Sequence, residues 1–176
     1  MKRTFLVLVA ALVTAPLFAQ IAQIPTLQVC NVGKAHGTAQ VFLSRRVDIN
    51  HAGTIDITAL DVGCDPQSTN PYPTGSISMR FSLSDVTTIS DLRVTLIEQM
   101  TSVGKHTPTT YMNGRCTANG GTVPCHFWLM LVDNHNPGTP DTPPDVLSVL
   151  VVDKAGNRLA YGTGPIKTGE ITVQTF

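Results

Sequence analysis

Apolar and polar residues alternate along much of this chain, and a period of two is typical of β-strands with one buried face. The clearest run covers residues 76–84, where Ile, Met, Phe and Leu stand at every second position between serines and an arginine. Shorter runs of the same kind occur at residues 39–43, 55–58 and 92–96. Each run predicts a strand that turns one face to a core and the other to water.

Two later runs are apolar at nearly every position, which is typical of strands buried on both faces. They cover residues 127–132 and 146–152, with Ser148 as the one polar interruption. Residues 153–157 read Asp-Lys-Ala-Gly-Asn and predict a turn that leads into a strand at residues 158–161. The apolar residues Ile171, Val173 and Phe176 predict a separate last strand.

The fold class follows from these short strands and from the absence of a convincing helical period after residue 19. We predict an all-β protein with a single antiparallel β-sandwich, immunoglobulin-like or related. The predicted core consists of Ile77, Met79, Phe81, Leu83, Val94, Phe127, Leu129, Leu131, Leu150 and Val152.

The first nineteen residues have the organisation of a secretory signal peptide. Lys2 and Arg3 supply positive charge, a short apolar stretch follows, and Ala19 is a small residue suited to cleavage. The apolar stretch is too short for an ordinary transmembrane span. We therefore predict a signal peptide at 1–19, a lead-in segment at 20–27 and the β-sandwich domain at 28–176. The expected location is secreted or periplasmic, with association to the cell surface as a further expectation, and no membrane span is expected after signal removal.

The chain has four cysteines, and an even number in a secreted protein predicts disulfide bonds. Cys116 and Cys125 flank a segment with Gly120-Gly121 at its centre, so a hairpin turn there would place the two cysteines opposite each other. Cys30 and Cys64 then form the second bond. A zinc site is disfavoured because the chain has no C-x-x-C pair.

Composition and motifs argue against several classes of function. Charged residues make up only 14% of the chain, and twelve basic residues balance twelve acidic ones, so no basic field would attract nucleic acid. No serine hydrolase, zinc protease, Walker or dinucleotide-binding motif occurs, and the five histidines are scattered. We predict that the protein is not an enzyme and has no catalytic residues.

One segment carries a candidate metal site. Asp133, Asn134, Asn136, Asp141 and Asp145 place five oxygen-bearing side chains around a loop that must turn near Pro137-Gly138. Calcium takes six to eight oxygen ligands, and such loops supply them, although the spacing is not that of an EF-hand. The alternative is that these side chains bond the backbone of their own turns. Calcium is the one cofactor that the residues indicate.

Aromatic side chains offer a second ligand chemistry, a platform for sugars. Trp128, Tyr72, Tyr111 and Tyr161 are the candidates, although aromatic residues make up only 6% of the chain. Trp128 lies within a run that is apolar on both predicted faces, so we expect it in the core.

Residues 112–174 resemble the post-COAP domain, the small β domain that follows choice-of-anchor domains in secreted bacterial surface proteins. The central stretch of that family usually reads Val-Asp-Asn-Gly-x-Pro-Gly, whereas His135 stands here at the position of the first glycine. The resemblance implies a secreted, non-catalytic module. The segments that carry it are Asn113-Gly-Arg-Cys-Thr-Ala-Asn-Gly120, Leu131-Val-Asp-Asn134, Pro137-Gly-Thr-Pro-Asp141, Tyr161-Gly-Thr-Gly164 and Gly169-Glu-Ile-Thr-Val-Gln174.

These observations predict a secreted, non-catalytic module of a bacterial cell surface or extracellular assembly, with a role in adhesion, display or structure. Its partner would be a protein or a glycan outside the cytoplasm, and no nucleic acid. The alternative function is a calcium- or carbohydrate-binding domain that uses the loop at residues 133–145.

Overall fold

The structure is a computed structural model, and it describes residues 30–43, 52–65, 67, 70, 72–83, 88–134 and 143–176. Over these residues the chain forms eight strands and no helix. The predicted signal peptide, the lead-in segment and the start of the predicted domain lie outside the described residues. The strands are β1 (Gly33–Leu43), β2 (Gly53–Cys64), β3 (Thr74–Leu83), β4 (Asp91–Val103), β5 (Thr109–Ala118), β6 (Val123–Val132), β7 (Val146–Asp153) and β8 (Arg158–Thr175).

The sheet is a closed antiparallel barrel in the order β1 to β8, and the predicted β-sandwich is wrong. Each strand pairs with its neighbours in sequence, and β8 also pairs with β1. Alternating burial occurs in both architectures, because a barrel strand also has one inward and one outward face. The alternation therefore predicted the strands correctly without distinguishing a barrel from a sandwich.

Closure depends on β8, which is 18 residues long. Its first part, from Arg158 to Pro165, pairs with β7, and its second part, from Ile166 to Thr175, pairs with β1. The sequence predicted two separate strands in this region, but they are the two ends of one strand. Since a single strand borders both β7 and β1, the sheet has no open edge at this point.

Two kinds of glycine allow β8 to approach its neighbours. Gly162 lies against the core, where an added Cβ would be 2.4 Å from Leu43 Cδ1. Gly169 has a φ of 86°, and an added Cβ there would be 2.2 Å from the carbonyl oxygen of Thr38. At Gly169 the clash would be with backbone and the φ favours glycine, so the closing β8–β1 seam requires glycine there, whereas at Gly162 the clash would be with the tip of the Leu43 side chain.

The interior of the barrel is filled by apolar side chains, among which Phe127 and Leu131 are fully buried. The structure confirms six members of the predicted core as buried, and Leu83 and Val94 pack partly buried against them. Leu150 and Val152 lie on the outer face and are only half-buried, so their assignment to the core is wrong. The six confirmed residues are Ile77, Met79, Phe81, Phe127, Leu129 and Leu131.

The prediction that β6 and β7 are buried on both faces is also wrong. Burial alternates along each of them, with every second residue inside the barrel. A closed barrel has a single interior, and within the described ranges no second sheet covers the outside of these strands. Their outward apolar side chains are therefore in contact with solvent.

Both predicted disulfide bonds are present. Cys116 and Cys125 are directly opposite each other across the β5–β6 hairpin, with their Cα atoms 4.9 Å apart. The hairpin turn has four residues, from Asn119 to Thr122, between the two strands. Cys30 joins Cys64 and so links the segment before β1 to the end of β2.

The seam between β3 and β4 is much shorter than the others. Only Ser78, Met79 and Arg80 of β3 pair with β4 within the described residues. A cavity of about 710 Å³ borders this seam.

In the part of the chain that the structure describes, no helix is long and apolar enough to cross a membrane.

Candidate functional site

The predicted metal loop begins at Asp133, directly after β6, and ends at Asp145, directly before β7. Both carboxylates are buried. Oδ2 of Asp133 accepts a hydrogen bond of 2.8 Å from the backbone N–H of Val173 in β8. Oδ2 of Asp145 accepts a longer one, 3.4 Å, from the N–H of Ile171. The two carboxylates thus attach the base of the loop to the closing strand.

The two ends of the loop are also bonded to each other. Oδ1 of Asp145 accepts a 2.8 Å hydrogen bond from the backbone N–H of Asn134. The side-chain amide of Asn134 donates to the carbonyl oxygen of Pro144, also at 2.8 Å. These bonds fix where the chain leaves and re-enters the barrel.

Of the predicted calcium ligands, Asn134 is hydrogen-bonded to Asp145, and Asp133 and Asp145 both bond β8, whereas Asn136 and Asp141 lie outside the described residues. Among the described residues, no group of three or more His, Cys, Asp or Glu side chains is placed to hold a metal ion. Backbone N–H donors already offset charge on both buried carboxylates. These bonds favour the interpretation that the acids anchor the loop, and the calcium site stays a prediction.

A second candidate lies on the outside of β4 to β7, and we call it the aromatic strip. It has two neighbouring rows of outward side chains, set by the strand registers. The first row consists of Gln99, Asn113, Trp128 and Leu150, and the second consists of Thr101, Tyr111, Met130 and Ser148.

Trp128 and Tyr111 are the exposed aromatic members of the strip. The exposed fraction is 46% for Trp128 and 50% for Tyr111, so the expectation that Trp128 belongs to the core is wrong. A signal in the sequence could have placed it outside. If Cys125 points inward to its disulfide partner, then Phe127 and Leu129 also point inward and Trp128 points outward. The uniformly apolar run concealed this alternation.

An amide pair lies beside Trp128 in the same row. The side-chain N–H of Asn113 donates to Oε1 of Gln99 at 3.2 Å. Within the described part of the chain, Oδ1 of Asn113 and the Nε2 amide of Gln99 make no hydrogen bond. The Asn113 oxygen, one strand away from Trp128, is therefore available as an acceptor on the outer surface. The Gln99 amide nitrogen, two strands away, is available there as a donor.

The strip encloses a shallow cavity of about 240 Å³. The described residues that line it supply apolar, hydroxyl and amide groups and no charged side chain. The neighbouring row carries the ion pair of Arg115 with Glu98, whose Nε and Oε1 atoms are 2.8 Å apart. The strip can therefore contact an uncharged ligand through two rings and several polar groups.

The other aromatic candidates do not join this cavity. Tyr72 is exposed in the segment before β3, beside the β3–β4 seam. The guanidinium of Arg158 lies over the ring of Tyr161, 5.1 Å from its centroid. Tyr161 is opposite Leu150 and so continues the first row of the strip onto β8, but of the four aromatic residues considered from the sequence only Trp128 and Tyr111 are among the described residues that line the cavity.

The larger cavity at the β3–β4 seam is lined by charged side chains of both signs, including Arg80, Asp91 and Arg93. Asp91 is bonded to the β5–β6 turn, because its Oδ1 accepts from the N–H of Gly120 at 3.1 Å. Ser90 donates to its other oxygen at 3.0 Å. The carboxylate therefore has a structural role in holding the turn against β4.

The carboxyl group at the end of β7 has a clearly shifted pKa. The side-chain amide of Asn157 donates to Asp153 at 2.8 Å and is the main reason that the pKa of Asp153 lies below its usual value. Backbone N–H groups of Asn157 and Ala155 add to the effect. Asp153 is the last residue of β7 and is half-buried, and these bonds stabilise the turn that the sequence predicted.

Comparison with known proteins leaves the site to be interpreted from its own geometry. No family model, no curated protein and no solved structure matches this chain. The resemblance of residues 112–174 to the post-COAP domain therefore stays a prediction.

Proposed function

We propose that this protein is a secreted, non-catalytic module that binds a partner outside the cytoplasm through the aromatic strip, in an adhesion or display role. The observation that carries the proposal is the exposure of Trp128 and Tyr111 on one face, beside polar groups with free hydrogen-bonding capacity. Large aromatic side chains that remain in water on a folded protein are typical of binding surfaces.

The position of the strip on paired strands supports this proposal. β5 and β6 pair along their whole length, and β6 and β7 pair over eight residues. The disulfide between Cys116 and Cys125 lies on the same hairpin. A ligand that binds to such a rigid surface orders few side chains and no backbone, which lowers the entropic cost of binding.

The two disulfide bonds support a location in an oxidising compartment. Such a location agrees with the signal peptide predicted from the sequence. Together they favour an extracellular or periplasmic partner over a cytoplasmic one.

The test is binding of the purified, secreted protein to the surface of the cells that produce it. Trp128→Ala should reduce bound protein about tenfold or more, as expected for removal of a central aromatic anchor. Phe42→Ala is the matched control, because Phe42 is 47% exposed on β1, away from the strip. Equal binding of Trp128→Ala and the wild type would disprove the proposed function.

A further inference from the structure

We infer that the ligand of the aromatic strip is a neutral carbohydrate chain. This inference rests on the proposed function and specifies the chemistry of the partner. It follows from three properties of the strip: its two exposed rings, its available amide groups and its lack of charge.

The rings match the apolar side of a sugar. A pyranose ring presents C–H groups on its faces and hydroxyl groups around its edge. The flat faces of indole and phenol rings can stack on such C–H groups and exclude water from both surfaces. Trp128 and Tyr111 lie on adjacent strands, in the two neighbouring rows of the strip, so one chain of sugar rings can contact both.

The amides match the hydroxyl groups. Each sugar hydroxyl is both a donor and an acceptor, and it is best satisfied by a site that offers both functions. Oδ1 of Asn113 is an acceptor and Nε2 of Gln99 is a donor. The hydrogen bond that Nδ2 of Asn113 donates to Oε1 of Gln99 holds both side chains in place. Ser148 and Thr101 place further hydroxyl groups at the same cavity.

The charge of the strip selects among ligand classes. None of the lining residues in the described part of the chain is Lys, Arg, Asp or Glu, so neither a nucleic acid backbone nor an acidic polysaccharide would find a cation among them. A protein partner usually covers about 800 Å² on each side, whereas this cavity of about 240 Å³ has the scale of a small ligand group such as a sugar ring.

The chain offers a direct reporter for the test, because Trp128 is its only tryptophan. We propose to titrate the wild-type protein with neutral hexasaccharides of glucose, xylose, mannose and N-acetylglucosamine and to follow tryptophan fluorescence. At least one of them should cause a saturable change in emission. Calorimetry with that saccharide should show about tenfold weaker binding for Tyr111→Ala and for the double variant Gln99→Ala/Asn113→Ala. Phe42→Ala should bind within about twofold of the wild type.

Treatment of the producing cells separates this inference from the proposed function. Periodate oxidation, which cleaves vicinal diols of sugars, should abolish the Trp128-dependent binding to cells, and protease treatment should leave it intact. Loss of binding with protease but not with periodate would identify a protein partner, which would overturn the carbohydrate inference while the proposed function stands. Saturable binding of acidic saccharides without binding of any neutral one would also overturn the inference that the ligand is a neutral carbohydrate. Binding to cells that does not depend on Trp128 would instead reject the proposed function itself.

Discussion

The β5–β6 seam and the β3–β4 seam both join strands that follow each other in sequence, yet they are built very differently. The ladder of β5 with β6 is continuous from Thr109 opposite Val132 to Ala118 opposite Val123. The ladder of β3 with β4 covers three residue pairs within the described part of the chain. One seam is cross-linked by a disulfide, whereas the other borders a cavity of about 710 Å³.

The difference between the two seams indicates which part of a small barrel can carry a binding surface. Strands that pair along their whole length hold outward side chains at fixed spacing, and the aromatic strip lies on such strands. A seam with few ladder hydrogen bonds opens at a lower free energy than a fully paired one. The β3–β4 side therefore contributes less to rigidity than the β5–β6 side.

The largest effect is expected from a cavity in the core beside the well-paired seam. Phe127→Ala removes a fully buried ring from β6 and should lower the free energy of unfolding by about 3–5 kcal/mol. Met79→Ala, at an equally buried position on the β3–β4 seam, should cost about 2–3 kcal/mol, because a less constrained site can partly collapse. Urea unfolding of both variants measures the difference. If both variants lost the same free energy of unfolding for each side-chain atom removed, the β3–β4 side would not be looser than the β5–β6 side.

The second prediction compares the two disulfides. Cys30 and Cys64 are 34 residues apart, and Cys116 and Cys125 are nine apart. On the chain-entropy model their removal should cost about 3.8 and about 2.6 kcal/mol, respectively. The two double Cys→Ser variants, unfolded in urea beside the wild type, give both values. A greater loss for the hairpin pair would show that its ladder depends on the cross-link.

The smallest effect concerns the β7–β8 turn. The lowered pKa of Asp153 means that its ionised form stabilises the turn above the ordinary pKa of 3.8, and that this contribution is lost as the pH falls through the lower folded-state value. Asp153→Asn should therefore reduce the melting temperature slightly at neutral pH. The difference from the wild type should vanish in strong acid.

The control for this turn is Asp61→Asn, an exposed acid in the middle of β2, which should change the melting temperature little at either pH. A pH-independent effect of Asp153→Asn would show that the charge of the carboxylate does not stabilise the turn.

Local features of this protein were predictable because they depend on near neighbours in the chain. The alternation in residues 76–84 reports a strand with one buried face, and the structure confirms it as β3. The Asp-Lys-Ala-Gly-Asn turn depends on bonds between Asp153 and residues up to four positions away. The pairing of Cys116 with Cys125 follows from a hairpin of short sequence separation.

The candidate site was only partly predictable. The sequence indicated that Trp128 and Tyr111 could form an aromatic platform, but the apolar run around Trp128 favoured burial. Placing the tryptophan outside requires knowing that no second sheet covers β6. The hydrogen bonds from β8 to Asp133 and Asp145 join residues 40 and 26 positions apart, a distance at which no local pattern operates.

The sequence by itself determined that the chain is all-β, where most of its strands run and which cysteines pair. Only the tertiary structure decided that the sheet closes into a barrel, that β8 is one strand bordering both β7 and β1, and that the aromatic strip faces solvent. The physical reason is that alternation records one buried face for each strand, whatever covers that face. Closure depends instead on long-range pairing and on the close approach that glycines such as Gly162 and Gly169 permit.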